Sequence, residues 1–182
     1  MSKIDQIIND LTLEEKVSLL SGFNSWYTNK IDRKGIPSIK MSDGPNGVRG
    51  DSNSGKSSAC FPCAISISSS WDLEQVKKIG VALGEEAQAK DVDVLLGPTI
   101  NIHRHPLGGR HFESFSEDPF LTGKIASSYV QGVQSQNVAA CLKHFVGNDT
   151  EFERHSISSN IDEQTLREIY LLPFEIGVKE GN

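Results

Sequence analysis

The chain has 182 residues, 37% of them hydrophobic, 23% charged and 7% aromatic, enough apolar material for one packed core and hardly more. With 18 Lys and Arg against 24 Asp and Glu the net charge is -6, and no basic stripe interrupts that balance, which argues against an electrostatic grip on nucleic acid. Met1-Ser2-Lys3-Ile4-Asp5-Gln6 lacks the apolar core of a signal peptide, no apolar run approaches the ~20 residues of a membrane span, and the three cysteines leave an odd thiol, so the expectation is a soluble, cytoplasmic protein in a reducing compartment, away from membranes.

Residues 3–20 place Ile4, Ile7, Ile8 and Leu11, then Val17 and Leu20, on roughly one helical face in two short pieces. Thr12-Leu13-Glu14-Glu15 reads as a capping box that opens the second piece. A first strand is predicted over Ile36 to Met41, ending in Ser42-Asp43-Gly44-Pro45, followed by a Gly/Ser-rich loop. A helix is predicted from about Asp72, with Leu73, Val76, Ile79 and Leu83 at helical spacing, and a second strand over residues 92–96 stops at Gly97-Pro98. After a long loop, Asp118-Pro119 caps and opens a helix carrying Leu121, Ile125, Tyr129 and Val133. Val138 to Phe145 is the third predicted strand, and a last helix from about Glu163 carries Leu166, Ile169, Tyr170 and Phe174. Three strands each followed by a helix imply an α/β fold with a parallel sheet. The helix-to-strand connections at Lys90-Asp91 and Gln136-Asn137 are short, whereas the strand-to-helix loops are long and polar, which puts the chemistry at the carboxyl ends of the strands.

Several short patterns have bland readings. Gly50-Asp51-Ser52-Asn53-Ser54-Gly55-Lys56-Ser57 matches a phosphate-binding loop, but turn-like residues precede it and Phe61-Pro62 breaks the segment where a helix should run, so nucleotide binding is a distant alternative. Cys60-Phe61-Pro62-Cys63 has no second cysteine pair and no nearby His, and reads as two small buried residues. His103, Arg104, His105 and His111 form a local cluster that reads as hydrogen-bonded loop histidines, with no metal or other cofactor expected. The Asn148-Asp149-Thr150 sequon carries little weight without a secretory route. The strand ends say more. Lys143, following Val138-Ala139-Ala140-Cys141-Leu142, needs a partner or a ligand. One carboxylate acceptor with several cationic donors suits vicinal hydroxyls, each of which both gives and takes a hydrogen bond, and a purely structural network of Asp43, Arg110 and Lys143 is the equal alternative on the residues alone.

Ser42-Asp43-Gly44-Pro45-Asn46-Gly47-Val48-Arg49, Cys60-Phe61-Pro62, Leu96-Gly97-Pro98, Gly108-Gly109-Arg110, Phe112-Glu113-Ser114-Phe115-Ser116-Glu117-Asp118-Pro119, Lys143-His144-Phe145 and Leu166-Arg167-Glu168-Ile169-Tyr170-Leu171 succeed one another in the order seen in glycoside hydrolase family 3. Across almost its whole length the chain resembles the N-terminal domain of that family, in its fungal β-glucosidase type. The resemblance implies a partial (β/α)8 TIM-type barrel, about the first three βα units preceded by an N-terminal helical segment, with residues 1–182 forming an incomplete barrel domain. It implies retaining, metal-free hydrolysis of terminal non-reducing β-D-glucosyl residues, with a β-glucoside or short β-linked gluco-oligosaccharide as substrate. Asp43, Arg110, Lys143, His144 and Arg154 fall on the family's sugar-holding positions: Asp43 as acceptor, Arg110, Lys143 and His144 as donors, Arg154 as support.

Retaining hydrolysis needs two carboxyl groups about 5 Å apart. By the resemblance, the nucleophilic Asp and the acid/base Glu lie beyond Asn182, and no catalytic residue is assigned within this chain. Glu113, Glu117 and Asp118 are the local substitutes, of which the last two read better as helix caps. A barrel needs roughly 200 residues or more. The expectation is an N-terminal fragment of a β-glucosidase, silent alone, whose partner is the missing C-terminal part of the same enzyme, with a homo-oligomer open for the full-length protein. A non-catalytic sugar-binding remnant is the alternative.

Overall fold

The computed structural model describes residues 2–50 and 56–181. The chain divides into two compact units, Met1–Met41 and Ser42–Asn182.

In the first unit, α1 (Lys3–Asp10) and α2 (Leu13–Ser18) each open with a reciprocal capping box. Ser2 and Asp5 exchange bonds of 2.8 and 3.1 Å, and Thr12 and Glu15 exchange bonds of 2.9 and 3.2 Å, satisfying backbone N–H groups that a helix start leaves orphaned. Glu15 also accepts from Arg33. The rest is held by isolated antiparallel bridges, Gly22 with Thr28, Tyr27 with Lys40 and Ile31 with Ile36. The apolar stripe expected of the two helices is present in sequence but uncovered: Ile4, Ile8, Leu13, Val17 and Leu20 are all exposed.

A three-stranded sheet has the order β1 (Met41–Ser42, where the first unit passes into the second), β2 (Val94–Leu95), β3 (Ala139–Ala140). β2 and β3 are parallel, with Val94 opposite Ala139 and Leu95 opposite Ala140. The regular ladders are much shorter than the predicted strands, because beyond two residues the chains stay adjacent through irregular bonds. Leu96 N donates to Ser42 O (2.9 Å), Cys141 N to Leu95 O (3.1 Å) and Gly97 O (2.9 Å), Lys143 N to Pro98 O (3.1 Å) and Ile100 N to Lys143 O (2.7 Å). The peptide bonds Gly97–Pro98, Lys143–His144 and Phe145–Val146 are cis. No helix among the described residues is long and apolar enough to cross a membrane.

Two long helices back this sheet. α4 (Leu73–Ala89) begins at Asp72, whose side chain accepts from Gln75 N, and α5 (Pro119–Gln134) begins at Asp118, which accepts from Leu121 N, with Pro119 in the first turn. Both starts lie where the sequence places them. α4 and α5 pack at small residues: a Cβ on Gly80 would lie 2.5 Å from Tyr129 O and one on Gly132 would lie 2.3 Å from Lys77 O. Val76, Leu83, Leu95, Ile125, Val133 and Val138 fill the core, with Tyr129 fully buried among them. A short α3 (Ala64–Ser68), unforeseen in the sequence, precedes α4. The last predicted helix is broken into α6 (Glu163–Thr165), a π-helical turn over Leu166–Tyr170 and α7 (Leu172–Gly181).

Candidate active site

The loop that leaves β1 is fixed from below and from behind. Tyr129 Oη donates to Pro45 O at 2.9 Å, a bond that ties α5 to the turn after Asp43. Glu86 on α4 accepts from Val48 N and Ala59 N, both at 2.7 Å, and buried Lys90 pairs with Glu86 at 3.2 Å and donates to Ser58 Oγ at 2.7 Å and to Val48 O. The strap through residues 59–62 lies tight against this loop: Phe61 N donates to Asn46 O (2.9 Å), Asn46 Nδ2 to Pro62 O (2.6 Å), and a Cβ on Gly47 would meet Ala59 O at 2.0 Å. Glycine is required there because the two backbones touch.

Against this frame lies a cavity of about 450 Å3 at the carboxyl ends of the strands, walled by Asp43, Arg49, Phe61, Arg110, Glu113 and Lys143. Its volume falls within the range of small-molecule ligand pockets. Lys143 Nζ lies 3.2 Å from Asp43 Oδ1, and Arg49 Nη1 lies 3.6 Å from Asp43 Oδ2. Burial pushes the Asp43 carboxyl up, but Lys143, the Gly44 N–H and Arg49 together outweigh it and hold it below the ordinary aspartate value. Arg110 is gripped from the other side: its Nε donates to Glu113 Oε1, stands 3.4 Å from Glu151 Oε1, and its Nη2 lies 3.2 Å from His144 Nε2. Burial lowers the Arg110 pKa, but Glu113 and Glu151 raise it further, so the guanidinium stays charged.

His144 sits one layer behind the cavity, and its tautomer is dictated by its partners. Asn101 Oδ1 accepts from the His144 backbone N–H (3.0 Å), and Asn101 Nδ2 donates to His144 O (3.1 Å), which fixes the amide orientation. His144 Nδ1, 3.0 Å from the same Asn101 Oδ1, must carry the ring proton, and Nε2 accepts from Arg110. Burial, then the charges of Arg110 and Lys143, push the His144 pKa down, consistent with a neutral ring. The donor role expected for His144 therefore differs from its state here: its ring proton is committed to Asn101 and its free lone pair to Arg110.

Arg154 is half exposed on the following loop and is not part of the cavity wall. It reaches the site through a shared carboxylate, because Glu151 Oε2 lies 3.3 Å from Arg154 Nη1 while Glu151 Oε1 faces Arg110. The structure thus brings Asp43, Arg110 and Lys143 to one cavity, with His144 behind them and Arg154 at one remove. Asn101 and Glu151 were missed in the sequence, where nothing local separates them from other polar loop residues.

Other sequence candidates resolve differently. Glu113 accepts from Arg110 and from Thr99 Oγ1 (3.3 Å), Asp118 caps α5, and Glu117 is exposed and is not the cap of that helix. Cys60 is exposed and Cys63 half-buried on the cavity wall, where buried residues were expected, because the strap turns them outward from the core. His103 Nε2 lies 3.0 Å from both His111 O and Ser114 O, and His111 Nε2 contacts His105 O. Two carbonyl acceptors make the His103 nitrogen a proton donor rather than a ligand. Among the described residues no three His, Cys, Asp or Glu side chains are gathered for a metal ion. Of the phosphate-loop match, residues 51–55 lie outside the described residues, and the chain after Ser57 is irregular to Cys63, where a phosphate loop would enter its helix.

The family model described as Glycosyl hydrolase family 3 N terminal domain matches residues 2–182. The chain belongs to glycosyl hydrolase family 3. It is 56% identical over 180 residues to a beta-glucosidase of Rhizobium radiobacter and 52% identical over 182 residues to beta-glucosidase B of Emericella nidulans, covering 98% and 100% of this chain. It spans only 22% of the length of each. Among solved structures, a beta-glucosidase from Kluyveromyces marxianus in complex with glucose superposes with a TM-score of 0.94 at 47% identity, over 98% of this chain and 22% of that one. Beta-glucosidase 3B from Thermotoga neapolitana in complex with glucose gives 0.89 at 43% identity, over 99% and 28%. The α/β fold with a small parallel sheet is thus that of the family's N-terminal domain.

Proposed function

We propose that this chain is the sugar-gripping portion of a retaining β-glucosidase: the first three βα units of a (β/α)8-type barrel, holding a terminal β-D-glucosyl residue through Asp43, Arg110 and Lys143, with His144 and Arg154 in support. The observation that carries the reading is the cavity to which three separate loops at the strand ends bring Asp43, Arg110 and Lys143, alongside Arg49 and Glu113. A glucosyl unit is neutral and polyhydroxylated, so its recognition rests on hydrogen bonds to ionised groups, which are stronger than neutral ones. Glucose-bound relatives of the same fold support the assignment of substrate class.

The same geometry supports the expectation that the chain alone does not hydrolyse glucosides. Both carboxylates on the cavity wall are committed, Asp43 to Lys143 and Arg49, Glu113 to Arg110 and Thr99. Neither is free to attack an anomeric carbon, and a carboxyl held below its ordinary pKa, as Asp43 is, makes a poor proton donor at neutral pH. The nucleophile and acid/base are assigned to segments outside this chain. Ligand-observed NMR of the chain with glucose tests the grip: we expect saturable binding that Lys143→Met abolishes. An aryl β-glucoside assay tests the silence, and turnover at an enzyme-like rate that disappears in Asp43→Ala would overturn it.

A further inference from the structure

Sharing Arg110 and Glu113 with the larger cavity, a second, small space of about 10 Å3 is walled by Asn101, Arg110, Glu113, Ser114, Asn148 and Asp149 among others. That is about the room one water molecule needs. The Asp149 side chain is only 4% exposed, and its Oδ2 stands 3.6 Å from Arg104 Nε. Its other oxygen, Oδ1, is buried with no hydrogen-bond partner among the described residues. Burial pushes this carboxyl above the ordinary aspartate value, against a hydrogen bond from the Tyr170 hydroxyl, the charges of Arg104 and His111 and the Ile102 N–H, and these donors leave Oδ1 without one. A buried carboxylate oxygen without a donor is costly, and the charge balance around it says what supplies the donor. Glu113 is matched by Arg110 and Asp149 by Arg104, so the walls have no surplus negative charge to retain a cation. A neutral donor of the smallest size remains.

We propose that this space holds one ordered water that donates to Asp149 Oδ1 and bridges it to the rear of the Glu113–Arg110 pair, making Asp149 a positioning residue for Arg110. Asp149 does not line the larger cavity, so its influence on a ligand there runs through the Glu113–Arg110 pair, which walls both spaces. The water stands on the cavity and the orphan oxygen alone; its consequence for glucose rests on the function proposed above.

Water-to-amide cross-relaxation on the chain, measured with glucose titrations of the wild type, Asp149→Asn and Asp149→Leu, separates these claims. We expect a long-lived water next to the Ser114 and Asp149 amides in the wild type. Asp149→Asn keeps an acceptor oxygen and should retain both the water and the wild-type glucose affinity to within about twofold. Asp149→Leu fills the space with an apolar side chain; the water signal should vanish, the Arg110 Nε–H resonance should move, and glucose should bind about fivefold more weakly. A dry cavity in the wild type overturns the proposal, as does an unmoved Arg110 Nε–H resonance in a folded leucine variant. If the leucine variant does not fold, loss of the water in Asp149→Asn overturns it equally. A wild-type water and a shifted arginine signal with no glucose binding by any of the proteins would uphold the positioning claim and sink the sugar reading instead.

Discussion

Asn101→Ala is the sharpest probe of the site, because one small amide makes three bonds to a single residue. Asn101 Oδ1 accepts from the backbone N–H and the ring Nδ1 of His144, and Asn101 Nδ2 donates to its carbonyl, at 3.0, 3.0 and 3.1 Å. A neutral intramolecular hydrogen bond contributes about 0.5–1.5 kcal/mol net, so three sum to about 1.5–4.5 kcal/mol. His144 is only half-buried, so water replaces part of what is lost and the lower end, about 2 kcal/mol, is expected. For a domain of this size that lowers Tm by about 4–8 °C. The same substitution frees Nδ1, so 15N chemical shifts of the imidazole should leave the Nδ1–H pattern and approach a mixture of tautomers. Asn101→Asp is the control: it keeps both acceptor contacts but sets a carboxylate against the His144 carbonyl, and should fall between wild type and alanine in tautomer purity. An alanine variant with unchanged Tm and an intact Nδ1–H tautomer would refute the claim that Asn101 orients His144.

Gly80→Ala sets helix propensity against packing. Alanine is favoured in a helix interior by about 1 kcal/mol, but its Cβ would lie 2.5 Å from Tyr129 O, a backbone atom that has no rotamer to give, so α4 and α5 must part and net destabilisation of about 1–2 kcal/mol is expected in urea melts. Tyr129→Phe leaves the Pro45 carbonyl without its donor and should cost about 1–2 kcal/mol while loosening the Asp43 loop, seen as faster amide exchange at Gly47 and Arg49. His144 has a folded pKa below its ordinary 6.5, owing first to burial and then to Arg110 and Lys143, so its contribution to stability is present above that value and is lost as pH falls through the folded pKa. The urea midpoint should drop on acidification from pH 7.5 to 5, and His144→Gln should shrink that drop.

Much of this fold is legible in the sequence, for reasons that can be named. α4 and α5 have a capping Asp, an apolar period and, for α5, a proline in the first turn, and both begin at the predicted residue. The Thr12–Glu15 capping box is likewise a local signal with a local outcome. Strand lengths are not local. The apolar runs 36–41 and 138–145 look like strands of six to eight residues, yet regular pairing covers two in each case, because the bonds after Leu95 and Ala140 go to irregular partners around Gly97-Pro98 and Lys143. The break of the last helix over Leu166–Tyr170 is announced by Pro173, which has no N–H to offer the Ile169 carbonyl, but the apolar period of Leu166, Ile169, Tyr170 and Phe174 runs straight through it and hides the break. At the site, charges at strand ends could be read because burying them demands a partner. Asn101 and Glu151 could not, since polar residues in loops are common and only their three-dimensional neighbours set them apart. The amphipathic stripe of α1 and α2 says that a face is built to be covered, and says nothing of what covers it.

The arrangement also explains how an ion-pair network and a binding site occupy the same residues. A guanidinium has five N–H groups, and Arg110 commits Nε to its carboxylates and one Nη2 bond to His144, which leaves about three donors unassigned. An ammonium has three N–H groups and Lys143 commits one to Asp43, at a loose 3.2 Å. Asp43 in turn has two oxygens whose charge persists into mild acid, so it accepts from a ligand without first losing a proton. Each charged group is thus oriented by a partner behind or beside it while keeping hydrogen-bonding capacity toward the cavity. A neutral polyol entering that space adds bonds to groups already partnered and aligned, and it displaces no charge pair. Under the proposed function the pairing of Asp43 with Lys143, which by itself would read as a structural salt bridge, also orients one acceptor and one donor toward an uncharged ligand.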